Sequence, residues 1–132
     1  MAGAGAARLS DNQTILTDGG AGYAVAATAQ YRSFVVSGRW AKTAASLDDA
    51  WDAGLLAGLG TSPEYVVRGS IAAGVGRVEG RRGGSGLTIP LEFQLTTRLT
   101  STVGLGLYSF ASLSGPVQFA GGTLMIQIGQ LR

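Results

Sequence analysis

The sequence contains no cysteine and no histidine. The lack of cysteine excludes a disulfide framework and a thiolate metal site. The lack of histidine removes the most common general base and the most common metal ligand in proteins. Because a nucleophile needs a base beside it, a serine–histidine hydrolase or acyltransferase of the familiar type is excluded. We therefore expect no enzymatic activity, no cofactor and no bound metal.

Charge is also scarce. Charged residues make up 14% of the chain, against roughly 25% in ordinary soluble domains. Lys42 is the only lysine, although soluble β-proteins usually place Lys and Glu on exposed faces and sheet edges. The nine arginines are scattered along the chain, which argues against a nucleic-acid-binding protein.

Long apolar runs and helix-favouring stretches are missing as well. No apolar segment approaches the ~18–20 residues that a transmembrane helix requires. The 22 glycines argue against long helices. The residues after Met1 carry neither a charged start nor an apolar core of the kind found in signal peptides, so we expect an exported protein to be represented here by its mature form.

What the chain does contain is alternation. Over residues 87–99, every odd position except Thr97 is a large apolar residue, and every even position is polar or proline. Side chains on a strand alternate between its two faces, so this pattern predicts a strand with one apolar face and one polar face. The same pattern recurs in segments 23–31, 34–42, 51–61, 65–77, 87–99, 103–113 and 118–130.

These segments are about as long as a tilted strand that crosses a bilayer, which has roughly 9–11 residues. Short connections at 31–34, 61–64 and 99–102 alternate with longer polar links at 42–50 and 78–86. This layout is typical of outer-membrane barrels, which usually have an even number of strands. We therefore expect an eighth strand near Ala2–Leu9, followed by a loop over residues 10–20. The alternative is that residues 1–18 form a disordered tail.

Alternation alone does not say which face lies inside. A soluble barrel or sandwich would bury the apolar face, and could assemble into a shell, tube or fibre. The low charge and the small residues of the polar face favour the opposite arrangement, because the interior of an eight-stranded barrel is barely wide enough for side chains. We therefore predict a single domain over residues 1–132: an all-β, eight-stranded, antiparallel, up-and-down transmembrane barrel with its apolar face outward and a filled polar lumen.

Aromatic residues on the apolar face lie near the strand ends. Two belts of aromatic side chains around an aliphatic band are typical of the two membrane interfaces. The predicted belt at the short turns comprises Tyr31, Phe34 and Tyr65, and the predicted belt at the long links comprises Tyr23, Trp40 and Trp51.

Charged residues on the polar face are candidates for a network in the lumen. Glu92 is the only acidic residue in the middle of a predicted strand. An unpaired charge in a dry lumen is costly, so we expect Glu92 to form an ion pair with Arg68, Arg39 or both. Arg98, Gln94 and Tyr108 complete the predicted filling. Asp52 is expected to pair with Arg77 or to remain solvated.

The chain resembles the small outer-membrane β-barrels of the OmpA-like and OmpX-like type over about residues 20–132. The resemblance depends on the alternating strands, the turn Arg98-Leu99-Thr100-Ser101-Thr102 and the C-terminal segment 119–132. It implies a bacterial outer-membrane location, with the lipid bilayer, or detergent after extraction, as the principal partner. It does not point to a particular activity, since such barrels serve as anchors, adhesion or defence proteins, lipid enzymes and narrow channels.

We accordingly expect an outer-membrane structural or surface-interaction protein without catalytic activity. A soluble self-assembling subunit and a narrow channel are the alternatives. Arg81 and Arg82 lie in a glycine-rich link and are candidates for contact with lipopolysaccharide phosphates. We expect a monomer, with a homo-oligomer as the alternative.

Overall fold

The chain forms a closed, antiparallel barrel of eight strands. The structure is a computed structural model that describes residues 2–11, 14–44, 49–62, 64–80, 84–113 and 117–129. Each strand pairs with the next one along the chain, and the first strand pairs with the last. The barrel therefore has no free sheet edge. The strands are β1 (Ala2–Asp11), β2 (Thr14–Tyr31), β3 (Phe34–Ala44), β4 (Asp49–Gly60), β5 (Val67–Gly80), β6 (Gly84–Arg98), β7 (Val103–Leu113) and β8 (Val117–Ile128).

Burial follows the sequence alternation, with the polar face inside. On β6, Leu87 is 82% exposed on the outer surface, whereas Glu92 is only 2% exposed in the lumen. The same orientation places large apolar side chains outward on other strands, among them Leu55, Ile71, Leu105 and Ile126. The predicted fold class, an eight-stranded antiparallel barrel with its apolar face outward, is confirmed.

The predicted loop over residues 10–20 is wrong. β1 extends to Asp11 and β2 begins at Thr14, so both strands run through most of this segment. Asp11 is opposite Thr14, and Ala7 is opposite Gly20. This segment consists mostly of polar residues, and its two large apolar residues, Ile15 and Leu16, are adjacent, so it shows no alternation between two faces. The first part of β2 is held as a strand by backbone pairing to β1, and β1 also pairs with β8 to close the barrel.

Pro90 interrupts the hydrogen-bonded ladder between β5 and β6. Pairing runs to Ala73 opposite Leu91 and resumes at Gly76 opposite Thr88, because proline has no N–H to donate. Pro90 is buried on the lumen side, and its Cγ would lie 2.9 Å from a Cβ placed on Gly54. A larger residue at position 54 would therefore collide with the proline ring.

Inward-facing glycines allow adjacent strands to approach each other closely at this part of the barrel. A Cβ on Gly74 would lie 1.9 Å from the carbonyl oxygen of Leu55, and one on Gly58 would lie 1.9 Å from that of Ile71. Such distances are far below van der Waals contact. Glycine is therefore required on the inner face of β4 and β5, where these strands bring the side chains of the lumen together.

Candidate functional site: the polar lumen

Two buried side chains of opposite charge meet in the lumen. Arg39 on β3 donates from Nη2 to Oδ2 of Asp52 on β4, and both side chains are fully buried. Asp52 lies opposite Ala41, so Arg39 and Asp52 are diagonal neighbours on the inner face of the same strand pair. Diagonal neighbours on one face are within reach of long side chains. The local pairing of β3 with β4 thus creates the ion pair.

This ion pair is anchored to the opposite wall of the barrel. Ser112 on β7 donates to Oδ2 of Asp52 at 3.0 Å, and its hydroxyl lies 2.8 Å from that of Thr88 on β6. Arg39 also donates from Nη1 to the carbonyl oxygen of Leu91 at 2.8 Å, and its guanidinium carbon lies 5.5 Å from the ring centroid of Phe110. The two walls are therefore joined by polar contacts across the lumen.

Glu92 forms a second polar group next to the first. The Tyr108 hydroxyl donates to Oε2 of Glu92 at 2.8 Å, and the Ser37 hydroxyl donates to the same oxygen at 3.3 Å. Gln94 donates from its amide nitrogen to Oε1. Ser37 in turn lies 3.3 Å from the hydroxyl of Thr28. Three donors surround this carboxylate, so hydrogen bonds satisfy it.

The predicted ion pairs of Glu92 are not the ones that form. Arg39 pairs with Asp52, and Glu92 receives its hydrogen bonds from uncharged groups. Glu92 does lie opposite Ala72, as counting from the β5–β6 link predicts, but Arg68 lies four residues away along β5 and is opposite Thr96. This offset of four residues places Arg68 at the short-turn end of the barrel, away from Glu92.

The expectation that Asp52 pairs with Arg77 or remains solvated is also wrong. Arg77 lies on the outer face, where it donates to the Ser85 hydroxyl at 3.3 Å. Asp52 faces the lumen, because it follows the outward-facing Trp51 by one residue. Of the six predicted lumen residues, four are buried within the polar contacts: Arg39, Glu92, Gln94 and Tyr108. Arg68 and Arg98 are half-buried at the short-turn end.

Sequence reasoning did not assign a lumen role to Ser37, Thr88 or Ser112. These small hydroxyl residues lie on inner-face positions, and each hydrogen-bonds to another lumen group. The alternation could have identified them as lumen residues, because each one falls on the polar face of its strand. Three buried atoms have no partner among the described residues: Arg39 Nε, Thr43 Oγ1 and Asp52 Oδ1.

The aromatic residues lie on the outer face near the ends of the strands. Tyr31, Phe34 and Tyr65 are well exposed there, next to the short turns. At the other end, the rings of Tyr23 and Trp40 meet edge to face with centroids 5.4 Å apart, and Trp51 is half-exposed. Tyr23 and Tyr31 are eight residues apart on β2, or about 27 Å along the strand. At a tilt of about 40° this corresponds to a band of about 20 Å along the membrane normal.

The described part of the chain contains no group of three or more Asp and Glu side chains placed to hold a metal ion. It also contains no helix long and apolar enough to cross a membrane. Arg81 and Arg82, the predicted contacts for lipopolysaccharide, lie outside the described residues.

The sequence matches no protein-family model and no curated protein. Solved structures do match in fold. Neisserial surface protein A (NspA) superimposes with a TM-score of 0.80 at 12% identity, covering 96% of this chain and 93% of that chain. Ail, the attachment invasion locus protein of Yersinia pestis, gives a TM-score of 0.68 at 15% identity over 96% and 93% of the two chains.

A third structure, the outer membrane enzyme PagL, gives a TM-score of 0.52 at 11% identity over 97% of this chain and 99% of that chain. At such low identities the likeness concerns the fold. Strand count, closure, near-complete mutual coverage and the outward apolar face agree with one another. This chain therefore has the fold of the small, eight-stranded outer-membrane β-barrels of the OmpA-like and OmpX-like type.

Proposed function

We propose that this chain is a bacterial outer-membrane barrel that acts as a structural or surface-interaction protein and has no catalytic activity. One observation carries the proposal: buried, hydrogen-bonded polar side chains fill the lumen, while large apolar side chains cover the exterior. An exterior of this kind is stable against lipid and costly against water. A filled lumen leaves the loops and rims as the surfaces that are open to partners.

The predicted contrast between short and long connections is wrong. The connection between β4 and β5 at the short-turn end has six residues, whereas the links after β3 and β5 at the opposite end have four and three, because β5 and β6 extend through most of the predicted link. The proposed orientation follows the chain ends instead, since β1 begins and β8 ends at the short-turn end. The resemblance to OmpA-like and OmpX-like barrels implies that both chain ends lie on the periplasmic side, so we assign this end to the periplasm and the links after β3 and β5 to the outer surface.

The packing of the lumen argues against a narrow channel. Arg39, Glu92, Gln94 and Tyr108 project into the centre of the barrel, and each is at most 5% exposed. An eight-stranded barrel has an interior just wide enough for side chains, so we expect these groups to block the path of ions. Ions would have to displace a hydrogen-bonded network to pass through the barrel.

The absence of activity is proposed for the same reason. The buried Tyr108–Glu92 pair brings a hydroxyl next to a carboxylate, which is a pairing that can serve acid–base chemistry. A substrate has no access to it, because both side chains are about 2% exposed. The rest of the chain has neither histidine nor cysteine to act as a base or nucleophile. PagL, which has a similar fold, is an enzyme, but a shared fold does not imply a shared activity.

Two measurements on the native protein test the proposal. Fractionation of the source cells should recover the chain with the outer membrane, and detergent should be needed to extract it. The purified monomer in a planar bilayer should give no stable conductance steps. Recovery in the soluble fraction as a large assembly would refute the membrane role, and stable steps would show that the lumen conducts.

A further inference from the structure

Charge is distributed unequally between the two ends of the barrel. At the short-turn end, the described side chains include three arginines and a single acid, Glu64. The arginines are Arg32 in the β2–β3 turn, Arg68 near the start of β5 and Arg98 at the end of β6. The described side chains of this end therefore carry a net positive charge.

At the loop end, the described outward-facing charges balance each other instead. Lys42 and Arg77 face outward there, together with Asp49 and Glu79. Lys42 lies opposite Trp51, which lies opposite Glu79 on the next strand, so cation and anion share one row of the outer face. Opposite charges in one row cancel at the distance of a lipid headgroup.

The short-turn arginines are held at the rim by local structure. Arg68 donates from Nε to the carbonyl oxygen of Tyr65 at 3.2 Å, and the backbone N–H of Arg98 donates to that of Val66 at 2.8 Å. Arg68 lies opposite Thr96, so Arg98 is its diagonal neighbour on the lumen side of the mouth. Two like charges are thus held side by side.

Arg32 has a backbone conformation that is unfavourable for a residue other than glycine. Its φ of 54° lies in the left-handed region, where glycine is favoured. Its guanidinium carbon lies 5.7 Å from the ring centroid of Tyr31, one of the aromatic residues of the short-turn belt. The turn therefore presents a cation at the depth of the membrane interface.

We infer that the short-turn end of the barrel is a binding surface for the phosphate headgroups of anionic phospholipids in the leaflet that surrounds it. Guanidinium groups match phosphate oxygens in charge and geometry. Attraction to an anionic surface extends over a Debye length of about 8–10 Å, which includes arginines at the lumen mouth. The inference rests on the proposed function, because it needs the barrel to be inserted in a bilayer.

The test compares unfolding in two kinds of vesicle. The full chain is refolded into phosphatidylcholine alone and into phosphatidylcholine mixed with phosphatidylglycerol, and the equilibrium constant for urea unfolding is measured in each. The readout is the ratio of the two constants, which cancels any purely structural effect of a substitution. An arginine near an anionic surface is worth about fivefold in such a constant. Wild type should be stabilised by the anionic lipid, and added salt should remove the effect.

Two sets of variants locate the effect. The triple variant Arg32→Gln/Arg68→Gln/Arg98→Gln should lose the stabilisation by anionic lipid. The matched loop-end variant Lys42→Gln/Arg77→Gln should keep it. The inference is overturned if wild type gains nothing, if the triple variant keeps the full gain, or if inorganic phosphate reproduces the gain in neutral vesicles. A chain that folds in neither kind of vesicle would instead refute the proposed membrane role.

Discussion

Replacing Asp52 with asparagine should destabilise the barrel more than replacing Glu92 with glutamine. The substitution keeps the size of the side chain and an oxygen that can accept the Ser112 hydrogen bond. It leaves the fully buried guanidinium of Arg39 without its counter-ion. Removing one partner of a buried pair costs about 3–5 kcal/mol, because the other charge stays buried and uncompensated.

Glu92→Gln is the informative comparison. Glu92 accepts hydrogen bonds from Tyr108, Ser37 and Gln94 and has no cationic partner among the residues that the structure describes. In Glu92→Gln the amide oxygen can still accept from Tyr108 and Ser37, so only the hydrogen bond from Gln94 is lost and no guanidinium is stranded. A hydrogen bond to a charged group is worth about 1.5–3 kcal/mol. The structure thus predicts a smaller loss for Glu92→Gln than for Asp52→Asn, whereas an ion pair between Glu92 and Arg39 predicts the reverse.

The assay is urea unfolding of the refolded chain in lipid vesicles, followed by the fluorescence of Trp40 and Trp51. Asp49→Asn is the matched control, since Asp49 lies on the same strand but faces outward and is half-exposed. It should unfold close to the wild-type midpoint. The double variant Arg39→Met/Asp52→Asn should recover much of the lost stability, because no charge remains stranded. An Asp52→Asn midpoint equal to wild type, or no recovery in the double variant, would refute the reasoning.

Two further substitutions test the exterior and the close strand approach, each by the same unfolding assay. Leu55→Arg should lower the free energy of unfolding by about 2–4 kcal/mol, because Leu55 is 71% exposed near the middle of the apolar band. Val67→Arg at the short-turn end should lower it by only about 0–1 kcal/mol. Equal losses for the two variants would contradict the assigned depth. Gly74→Ala should cost about 1–3 kcal/mol, because its Cβ would overlap the Leu55 carbonyl at 1.9 Å, whereas Gly69→Ala meets nothing closer than 3.8 Å and should be nearly neutral. Equal midpoints for these two glycine variants would show that the close approach is not required.

Alternation in the sequence predicted most of the barrel, and its failures have a clear cause. The predicted segment 103–113 matches β7, and segment 34–42 falls within β3. The first half of β2 was assigned to a loop, because it is largely polar and its large apolar residues, Ile15 and Leu16, are adjacent and show no alternation. That stretch is a strand through its pairing with β1, a contact that closes the barrel and that no local pattern encodes.

The sequence predicted that polar residues line the lumen, but not which of them contact each other. Facing direction follows from position along a strand, so Glu92, Gln94 and Arg39 could be placed inside from the sequence. Which groups meet depends on register between strands. Ala44 lies opposite Asp49 across the β3–β4 link, and counting inward from that link makes Arg39 and Asp52 diagonal neighbours. Glu92 was chosen instead because it lies in the middle of its strand, which is a weaker criterion than the register of a hairpin.

The most direct test of the account is the environment of its apolar face in the refolded barrel. The chain has no cysteine, so a spin label can be attached to a single introduced thiol at Leu55→Cys, with Glu79→Cys at the loop end as the aqueous reference. Collision with oxygen, which dissolves in lipid, should dominate at position 55, and collision with a water-soluble nickel chelate should dominate at position 79. If the label at position 55 meets the nickel chelate as often as the label at position 79, or meets neither reagent, the outward face does not lie against lipid and the membrane account is contradicted.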